Sequence, residues 1–170
     1  MITGTLFDED LIARRVRELG ARISRDYAGR CPLVIGVLTA AAVFLADLVR
    51  AIEIPCEIDL VAVTRFDPRQ GIRIEKDTAV SVEGRHVILV DDSIATGATV
   101  GYLMQALHAR GPASLALCTL LDRPHRRPAG IDVTYAAFEA PDLFIVGYGL
   151  DHEGRYRALP ALHSYAPPEQ

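Results

Sequence analysis

Residues 86–100 constrain the fold of this chain more than any other stretch. They begin with an apolar run at 87–90 that is rich in β-branched residues, which is typical of a strand buried on both faces of a parallel sheet. Two adjacent carboxylates, Asp91 and Asp92, follow this run, and a loop of small and hydroxyl residues occupies 95–99. Apolar residues with the spacing of one helix face follow this loop. We therefore expect a strand, an acidic pair, a short loop and a helix, in that order.

The loop at 95–99 has the composition of a phosphate-binding turn. Amides at a helix N-terminus carry partial positive charge and bind phosphate. Thr96 and Thr99 add hydroxyl donors, and Gly97 allows the backbone to approach a ligand closely. The acidic pair can accept hydrogen bonds from two ribose hydroxyls, or lie beside a hydrated Mg²⁺. Together these groups suit a ribose 5-phosphate.

The stretch differs from two common nucleotide-binding motifs. It contains neither the Gly-Lys-Ser/Thr of a Walker A loop nor the Gly-x-Gly-x-x-Gly of a dinucleotide site. The plain alternative is a strand-to-helix turn that is capped by Asp92 or Ser93. Adjacent acids after a strand are common, but the full string at 91–99 is much more specific than the acidic pair alone.

Length, composition and net charge exclude several classes of protein. A length of 170 residues, half of them apolar, suits one domain over residues 1–170 with a sizeable core. The net charge of −4 argues against a nucleic-acid-binding surface. There is no apolar run of about 18 residues and no signal-peptide pattern, so we expect a cytoplasmic protein with no membrane partner. Cys31, Cys56 and Cys118 have no metal-ligand spacing and lie near apolar stretches, which predicts buried free thiols.

Strand and helix patterns alternate along the rest of the chain. Asp8 is expected to cap a helix that ends near Asp26, and a second helix should direct Val43, Phe44, Leu48 and Ile52 inward. Buried strands are expected at 33–38, 56–64, 114–121, 133–138 and 144–146. Alternation of this kind predicts a mainly parallel sheet covered on both faces, with the ligand at the carboxyl ends of the strands. Thr39, residues 91–99 and residues 122–127 should therefore converge on one rim.

Two further segments are relevant to a site at that rim. Residues 65–74 read as a loop or hairpin tip bearing arginines, and either a lid or an ordinary surface hairpin fits them. Residues 147–151 form a glycine-rich turn that is followed closely by Arg155 and Arg157. The tail at 166–170 is expected to be frayed.

At this point a family is recognisable. Residues 91–99 resemble the phosphoribosyl-pyrophosphate (PRPP) motif of the type I phosphoribosyltransferases. The whole chain is similar to bacterial hypoxanthine-guanine phosphoribosyltransferases, and the match extends over residues 32–52, 83–99, 120–124, 138–151 and 155–157. The resemblance implies an α/β type I phosphoribosyltransferase fold, with a twisted, mainly parallel sheet flanked by helices and a small hood from the chain ends.

The resemblance also implies a reaction, a cofactor and a set of roles. Phosphoribose would pass from PRPP to a 6-oxopurine with Mg²⁺ as cofactor, giving a purine nucleoside monophosphate in a homodimeric or homotetrameric enzyme. The implied catalytic residues are Asp91, Asp92 and Arg157, and the implied Mg²⁺ ligands are Asp151 and Asp91. The implied PRPP-binding residues are Ala95, Thr96, Gly97, Ala98, Thr99, Thr39 and Ala40, and the implied base-binding residues are Arg123, Phe144 and Ile145.

Several of these residues have plainer alternatives. Phe144 reads equally as a core residue of a strand, Asp151 as a turn cap, and Arg123 and Arg157 as solvated surface charges. Because all four occur together in one chain, a site for a purine and a diphosphate is favoured over four unrelated structural roles.

The chain departs from the family pattern at four places. Ala95 stands where the family usually has an aspartate near purine N7, and Arg123 stands where it usually has a lysine at O6. Residues 38–40 read Leu-Thr-Ala instead of Leu-Lys-Gly, and 65–66 read Arg-Phe instead of Ser-Tyr in a shorter loop. Losing a general base typically lowers a rate by about 10²- to 10⁴-fold. However, adenine phosphoribosyltransferases also have Ala-Thr-Gly here and are active.

Two hypotheses follow. The leading one is a Mg²⁺-dependent purine-salvage phosphoribosyltransferase with weak turnover or altered base preference. The alternative is a catalytically weak or inactive protein that senses PRPP or a purine nucleotide. Asp151 and Arg157 favour the enzyme, whereas Ala95, Thr39 and the Arg65-Phe66 pair favour the sensor.

Overall fold

The computed structural model describes residues 1–64, 71–127 and 130–166. A short 3₁₀ helix, Pro124–Arg126, follows the sixth strand. The helices and strands, in chain order, are β1 (Ile2–Phe7), α1 (Glu9–Asp26), β2 (Leu33–Leu38), α2 (Ala42–Ala51), β3 (Glu57–Val63), β4 (Ile74–Lys76), β5 (His86–Ile94), α3 (Ala98–His108), β6 (Ser114–Asp122), β7 (Tyr135–Glu139), β8 (Ile145–Val146) and β9 (Leu162–Tyr165).

The central sheet has the order β4-β3-β2-β5-β6-β7. Its pairs are parallel except for β3–β4, so the expectation of a mainly parallel sheet is confirmed. Helices α1 and α2 pack on one face, and α3 packs on the other. Because β5 lies between β2 and β6, Val87, Ile88, Leu89 and Val90 are fully buried. The apolar run that opens the stretch at 86–100 is therefore the centre of the core.

A second, three-stranded sheet has the order β1-β9-β8. Strands β1 and β9 come from the two ends of the chain, β9 is the middle strand, and both neighbouring pairs are antiparallel. This confirms the expected hood from the chain ends. The N-terminal strand was not predicted, because residues 2–7 alternate only weakly and four of them are exposed.

Helix α1 forms where its local signals predicted it. The Asp8 carboxylate accepts a hydrogen bond from the Leu11 N–H at 2.8 Å, which satisfies one of the free amides at the helix start. Ile12, Val16 and Ile23 are buried along one face against the sheet. The predicted end at Asp26 is also confirmed.

The main correction concerns the end of β5. The strand was expected to end at Val90, but it continues to Ile94, so the acidic pair lies within the strand and not after it. The reason is the neighbouring β6, which is equally long and pairs Asp91 with Thr119 and Ile94 with Asp122. Capping by Asp92 or Ser93 is wrong as well, because α3 begins after Gly97.

Smaller corrections concern single side chains. Val43 is 38% exposed, because it lies off the stripe that α2 buries through Phe44, Leu45 and Leu48. Of the cysteines, Cys118 is buried, but Cys31 is exposed and Cys56 is half-buried, since both precede the strands that they flank.

Some expectations fall on parts of the chain that the structure does not cover, or covers in part. The predicted loop contains Arg65 and Phe66. Its part up to residue 70 lies outside the described residues, and so do residues 167–170 of the tail. Where the description resumes after that loop, the Thr64 N–H donates to the Arg73 carbonyl at 2.9 Å, which closes the base of the β3–β4 connection. Across the described ranges, no helix is both long and apolar enough to cross a bilayer.

Candidate functional site

Two adjoining clefts open at the carboxyl ends of the central strands. The loop cleft has a volume of about 300 Å³ and is lined by residues 91–100 together with the ends of β2 and β3. The aromatic cleft has a volume of about 410 Å³. It is lined by the turn between β2 and α2, the loop after β6 and the segment around β8. Asp92 and Ser93 line both clefts, so the two spaces meet at the end of β5.

The loop cleft is built as an anion site. Gly97 is buried with a φ of 77°, and a Cβ at this position would overlap the Ile131 side chain, so the loop takes this path only with glycine. The Ala98 N–H makes only a long contact, 3.5 Å from Thr96 Oγ1. Helix α3 has no side-chain cap and no acidic residue in its first turn. The partial positive charge at its N-terminus therefore faces the cleft without a counter-charge of its own.

The acidic pair forms the floor between the clefts. Asp91 is only 6% exposed, and its Oδ1 accepts a hydrogen bond from the Asp92 N–H at 3.0 Å. Burial raises the pKa of Asp91 well above its usual value, and the charge of Asp92 adds to the shift. Burial also raises the pKa of Asp92, while the nearby Arg157 opposes that shift. Hydroxyl donors or a cation bound at the pair would favour its ionised form and so lower both pKa values.

A hydrogen-bonded group after β8 faces the same floor. Arg157 Nη2 lies 2.8 Å from Asp151 Oδ1, and Arg157 Nη1 donates to the Gly149 carbonyl at 2.6 Å. The other Asp151 oxygen accepts from the Gly154 N–H at 2.6 Å. Gly149 has a φ of 98°, and a Cβ there would overlap the Ala40 carbonyl. The glycine-rich turn therefore packs directly on the turn that follows β2.

Phe144 lies at the mouth of the aromatic cleft. Its side chain is 48% exposed, so the reading of Phe144 as a core residue is wrong. The ring centroid is 5.5 Å from that of His152 and 5.9 Å from that of Tyr165, which hold the ring from one side and leave space on the other. The next residue, Ile145, is buried in β8 and fixes the position of this shelf. A planar ring can stack here.

Arg123 lines the same cleft and is half-buried, so it is not a freely solvated charge. Its N–H donates to the Ile94 carbonyl at 3.0 Å, which ties it to the end of β5. Its Nη2 donates to the Leu143 carbonyl at 2.9 Å, whereas its buried Nε–H has no acceptor among the described residues. Burial lowers the pKa of Arg123, and the charge of Arg126 lowers it further.

The site fits a hard cation only with help from a ligand. Within the described ranges, no group of three or more His, Cys, Asp or Glu side chains is arranged around a common point. Mg²⁺ commonly takes one or two protein carboxylates and completes its shell with water and substrate phosphates. The oxygen donors of Asp151 and the acidic pair suit that chemistry.

Most of the predicted site residues line one or both clefts, and two of them lie beside the clefts. Thr39 lines neither cleft but precedes Ala40, and Arg157 lines neither but is bonded to Asp151. The loop cleft contains Asp91, Asp92, Ala95, Thr96, Gly97, Ala98 and Thr99. The aromatic cleft contains Ala40, Asp92, Arg123, Phe144, Ile145 and Asp151.

Sequence reasoning missed several residues at the site, among them Ser93, His152 and Tyr165. Ser93 lines both clefts, but its position within an apparent turn gave no sign of that. His152 and Tyr165 support Phe144, yet Tyr165 comes from the chain end and reaches Phe144 only through the β8–β9 pair. The polar character of the glycine-rich segment could have indicated His152; no local signal indicates Tyr165.

Comparison with known proteins gives consistent matches. Residues 3–153 match the phosphoribosyl transferase domain family. The chain is 39% identical over 170 residues to a hypoxanthine-guanine phosphoribosyltransferase of Bacillus subtilis, covering 98% of this chain and 94% of that protein. It is also 39% identical over 170 residues to the bifunctional TilS/HprT protein of Listeria innocua, of which it spans only 26%.

A solved structure agrees with these relatives. A crystal structure of a hypoxanthine-guanine phosphoribosyltransferase from Bacillus anthracis superposes with a TM-score of 0.94 at 36% identity. The alignment covers 98% of this chain and 100% of that one.

Proposed function

The chain belongs to the hypoxanthine-guanine phosphoribosyltransferase family, and we propose on that basis that it transfers phosphoribose from PRPP to a 6-oxopurine in purine salvage. The observation that carries the proposal is the junction of the loop cleft and the aromatic cleft at Asp92 and Ser93. A sugar phosphate held in the first cleft would have its anomeric carbon beside a base held in the second. This is the arrangement of a nucleoside monophosphate.

The loop cleft would hold the ribose 5-phosphate. The amides and hydroxyls of residues 95–99 would bind the phosphate, supported by the helix N-terminus. Asp91 and Asp92 would accept hydrogen bonds from the ribose hydroxyls, and these donors would favour ionisation of the pair. Binding of the sugar and ionisation of the acidic floor are thus coupled.

The leaving pyrophosphate would lie between the two turns that meet at Gly149. Transfer passes through a sugar with oxocarbenium character while negative charge develops on pyrophosphate, so cations at the leaving group matter most. Arg157 supplies one cation, and it is oriented by Asp151 and the Gly149 carbonyl. Mg²⁺, bound with Asp151 and the acidic pair, would supply further stabilisation of that charge.

The aromatic cleft would hold the base. Phe144 would stack on the purine, the Ile145 backbone would contact its edge, and Arg123 would donate to its carbonyl oxygen. The apolar ring face and the donor at its edge suit a 6-oxopurine.

The test is a pyrophosphate-release assay with Mg²⁺, PRPP and one of hypoxanthine, guanine, xanthine or adenine. We expect pyrophosphate and nucleotide to appear in equal amounts with at least one 6-oxopurine, and neither to appear when the base is omitted. Absence of both products with every base would refute the proposed activity.

A second candidate function is supported by one feature of the clefts. Thr39, Ala40 and Ala95 contribute no charged side chain to the site. A protein that senses PRPP or a purine nucleotide would need the loop cleft and the aromatic shelf but little help for a leaving group. Tight binding of GMP or IMP without turnover would favour this sensor.

Three broader expectations stay predictions. They are a single domain spanning residues 1–170, a cytoplasmic location, and a homodimeric or homotetrameric state. Light scattering coupled to size exclusion tests the last of these, and a monomeric mass would contradict it.

A further inference from the structure

Tyr148 connects the glycine-rich turn after β8 to helix α2. Its side chain is only 7% exposed, and its hydroxyl donates to Asp47 Oδ2 at 2.5 Å. Burial and the hydrogen bond to Asp47 raise the pKa of Tyr148, so the hydroxyl keeps its proton and remains the donor of this bond. The other Asp47 oxygen pairs with Arg50, whose side chain is largely exposed. Asp47 therefore has one buried partner, Tyr148, and one solvated partner, Arg50.

The backbone at Tyr148 has an unfavourable conformation. Its φ of 47° lies in the left-handed region, between Gly147 at 100° and Gly149 at 98°. A residue with a side chain adopts this region at a cost in free energy, and it stays there only when its surroundings fix it. The Tyr148 N–H donates to the Leu159 carbonyl at 2.8 Å, and the hydroxyl is bonded to Asp47. The path of the turn thus depends on contacts at both ends of the tyrosine.

The path of this turn determines how Arg157 is oriented. Arg157 Nη1 donates to the carbonyl of Gly149, the residue after Tyr148, and the Gly149 N–H donates to the Arg157 carbonyl at 2.9 Å. Asp151 accepts the other bond of the guanidinium. Tyr148, Asp47 and Arg157 also line one cavity of about 280 Å³ that is separate from both clefts. A shift of the turn would therefore remove one of the two acceptors that orient the Arg157 cation.

We propose that Tyr148, through its bond to Asp47, is a positioning residue for the Arg157 cation at the leaving pyrophosphate. This inference rests on the proposed function. Charge that develops on a leaving group is stabilised best by groups that already point at it, because they need no reorientation during the reaction. Tyr148 lines neither cleft, so it acts through the Gly149 carbonyl and not on the sugar or the base. Its contribution belongs to kcat and to pyrophosphate affinity, and not to KM for the base.

Tyr148→Phe tests this role with a minimal change. The variant loses the hydroxyl but keeps the packing of the ring, and Asp47 is 33% exposed, so no charge is left buried without a partner. Losing one hydrogen bond of this kind should lower kcat for pyrophosphate release by about 3- to 10-fold. KM for the base should change by less than about twofold. An unchanged kcat, or a rise in KM for the base as large as the fall in kcat, would overturn the inference.

Asp47 and Arg50 provide matched variants. Asp47→Ala removes the acceptor and should lower kcat as Tyr148→Phe does, whereas Asp47→Asn keeps an oxygen that can accept the bond and should restore most of that loss. Arg50→Gln breaks only the exposed pair with the other Asp47 oxygen, and it should leave kcat unchanged. Equal losses in Asp47→Asn and Asp47→Ala would contradict a role for the hydrogen bond.

A double variant separates positioning of Arg157 from a general loss of structure. If Tyr148 acts through Arg157, then Tyr148→Phe should lower kcat by less than about twofold when Arg157→Gln is already present. A loss as large as the one that Tyr148→Phe causes alone would show that Tyr148 acts independently of Arg157 and would refute the inference.

Calorimetry with Mg²⁺ and pyrophosphate extends the test to a protein that gives no turnover with any base. We expect Tyr148→Phe to weaken pyrophosphate binding by about 3- to 10-fold, and to weaken it no further when Arg157→Gln is present. That result without turnover would refute the proposed transfer and support the positioning role. Affinity unchanged in Tyr148→Phe, or no pyrophosphate binding by the wild-type protein, would contradict the positioning role.

Discussion

The loop cleft and the aromatic cleft are assembled in different ways. The loop cleft comes mainly from one contiguous stretch, residues 91–100, with apolar edges from β2 and β3. The aromatic cleft brings together Ala40, residues 123–126, residues 142–145 and residues 150–151 around the end of β5. In the proposed function, anion binding would therefore depend on local backbone geometry, while base binding would depend on how distant segments pack. Of the departures from the family pattern, Arg123 falls on this packed side and Ala95 on the contiguous loop, so the departures are not confined to one cleft.

The comparison predicts the largest loss for Arg157→Gln, on the packed side. The substitution removes the cation that we propose faces the leaving group, and it leaves Asp151 without its ionic partner. Removing one group that stabilises developing charge typically lowers a rate by about 10²- to 10³-fold. We expect a fall of that size in kcat, measured by steady-state pyrophosphate release. A change of less than about threefold would exclude Arg157 from the leaving-group site.

Asp92→Asn should have the next largest effect, because Asp92 lines both clefts. Losing a charged acceptor for ribose hydroxyls should lower kcat/KM for PRPP by about 10- to 100-fold. The same variant should reduce turnover of every base by a similar factor, since the sugar is common to all. A loss confined to one base would mean that Asp92 belongs to the aromatic cleft alone.

Phe144→Ala should have a smaller effect that is limited to the aromatic cleft. Stacking on an aromatic side chain contributes about 1–3 kcal/mol per base, so KM for the base should rise by about tenfold or more. KM for PRPP should stay the same, because the loop cleft does not include Phe144. Tyr102→Ala, which truncates an exposed aromatic residue of α3 away from both clefts, is the control. Equal rises in both KM values would contradict the division between the clefts.

The smallest effect is expected on stability. Burial and Asp92 raise the pKa of Asp91 above the usual 3.8, so the folded protein binds this proton more tightly than the unfolded chain. Stability then falls as the pH rises from about 4 and levels off above the folded-state pKa. Asp91→Asn removes that loss. We expect a Tm higher by about 2–4 °C for each kcal/mol regained, measured without ligand at pH 7.

The same experiment has an internal control. Near pH 3 the carboxyl is protonated in both states, so the Tm values of the two proteins should converge there. A Tm advantage of Asp91→Asn that is equal at pH 3 and pH 7 would show that ionisation of Asp91 is not its cause.

The sequence predicted those features of the structure that depend on residues close together in the chain. Periodicity located α1 and the core strands, because Ile12 and Val16 report burial directly through their spacing. The composition of residues 95–99 predicted a turn before a helix, and the structure has that turn at the uncapped start of α3. The predicted end of β5 was wrong because the length of this strand depends on its hydrogen-bonded pairing with β6. The residues near Asp91 do not indicate how far that pairing extends.

The aromatic cleft was harder to predict for the same physical reason. Phe144 reads like a core residue in its local context. Its exposure depends on the hood in which β1 and β9, from opposite chain ends, join β8 in one sheet. The support from Tyr165 follows from the β8–β9 pairing, which residues 144–146 do not specify by themselves. Resemblance to a family supplied Phe144, whereas spacing and composition did not, and neither route supplied Tyr165.

A crystal structure of the protein with bound GMP tests the central claim most directly. The account predicts the phosphate at the amides of residues 95–99, the ribose hydroxyls at Asp91 and Asp92, and the guanine stacked on Phe144. A phosphate bound away from the N-terminus of α3, or a base outside the aromatic cleft, would contradict it.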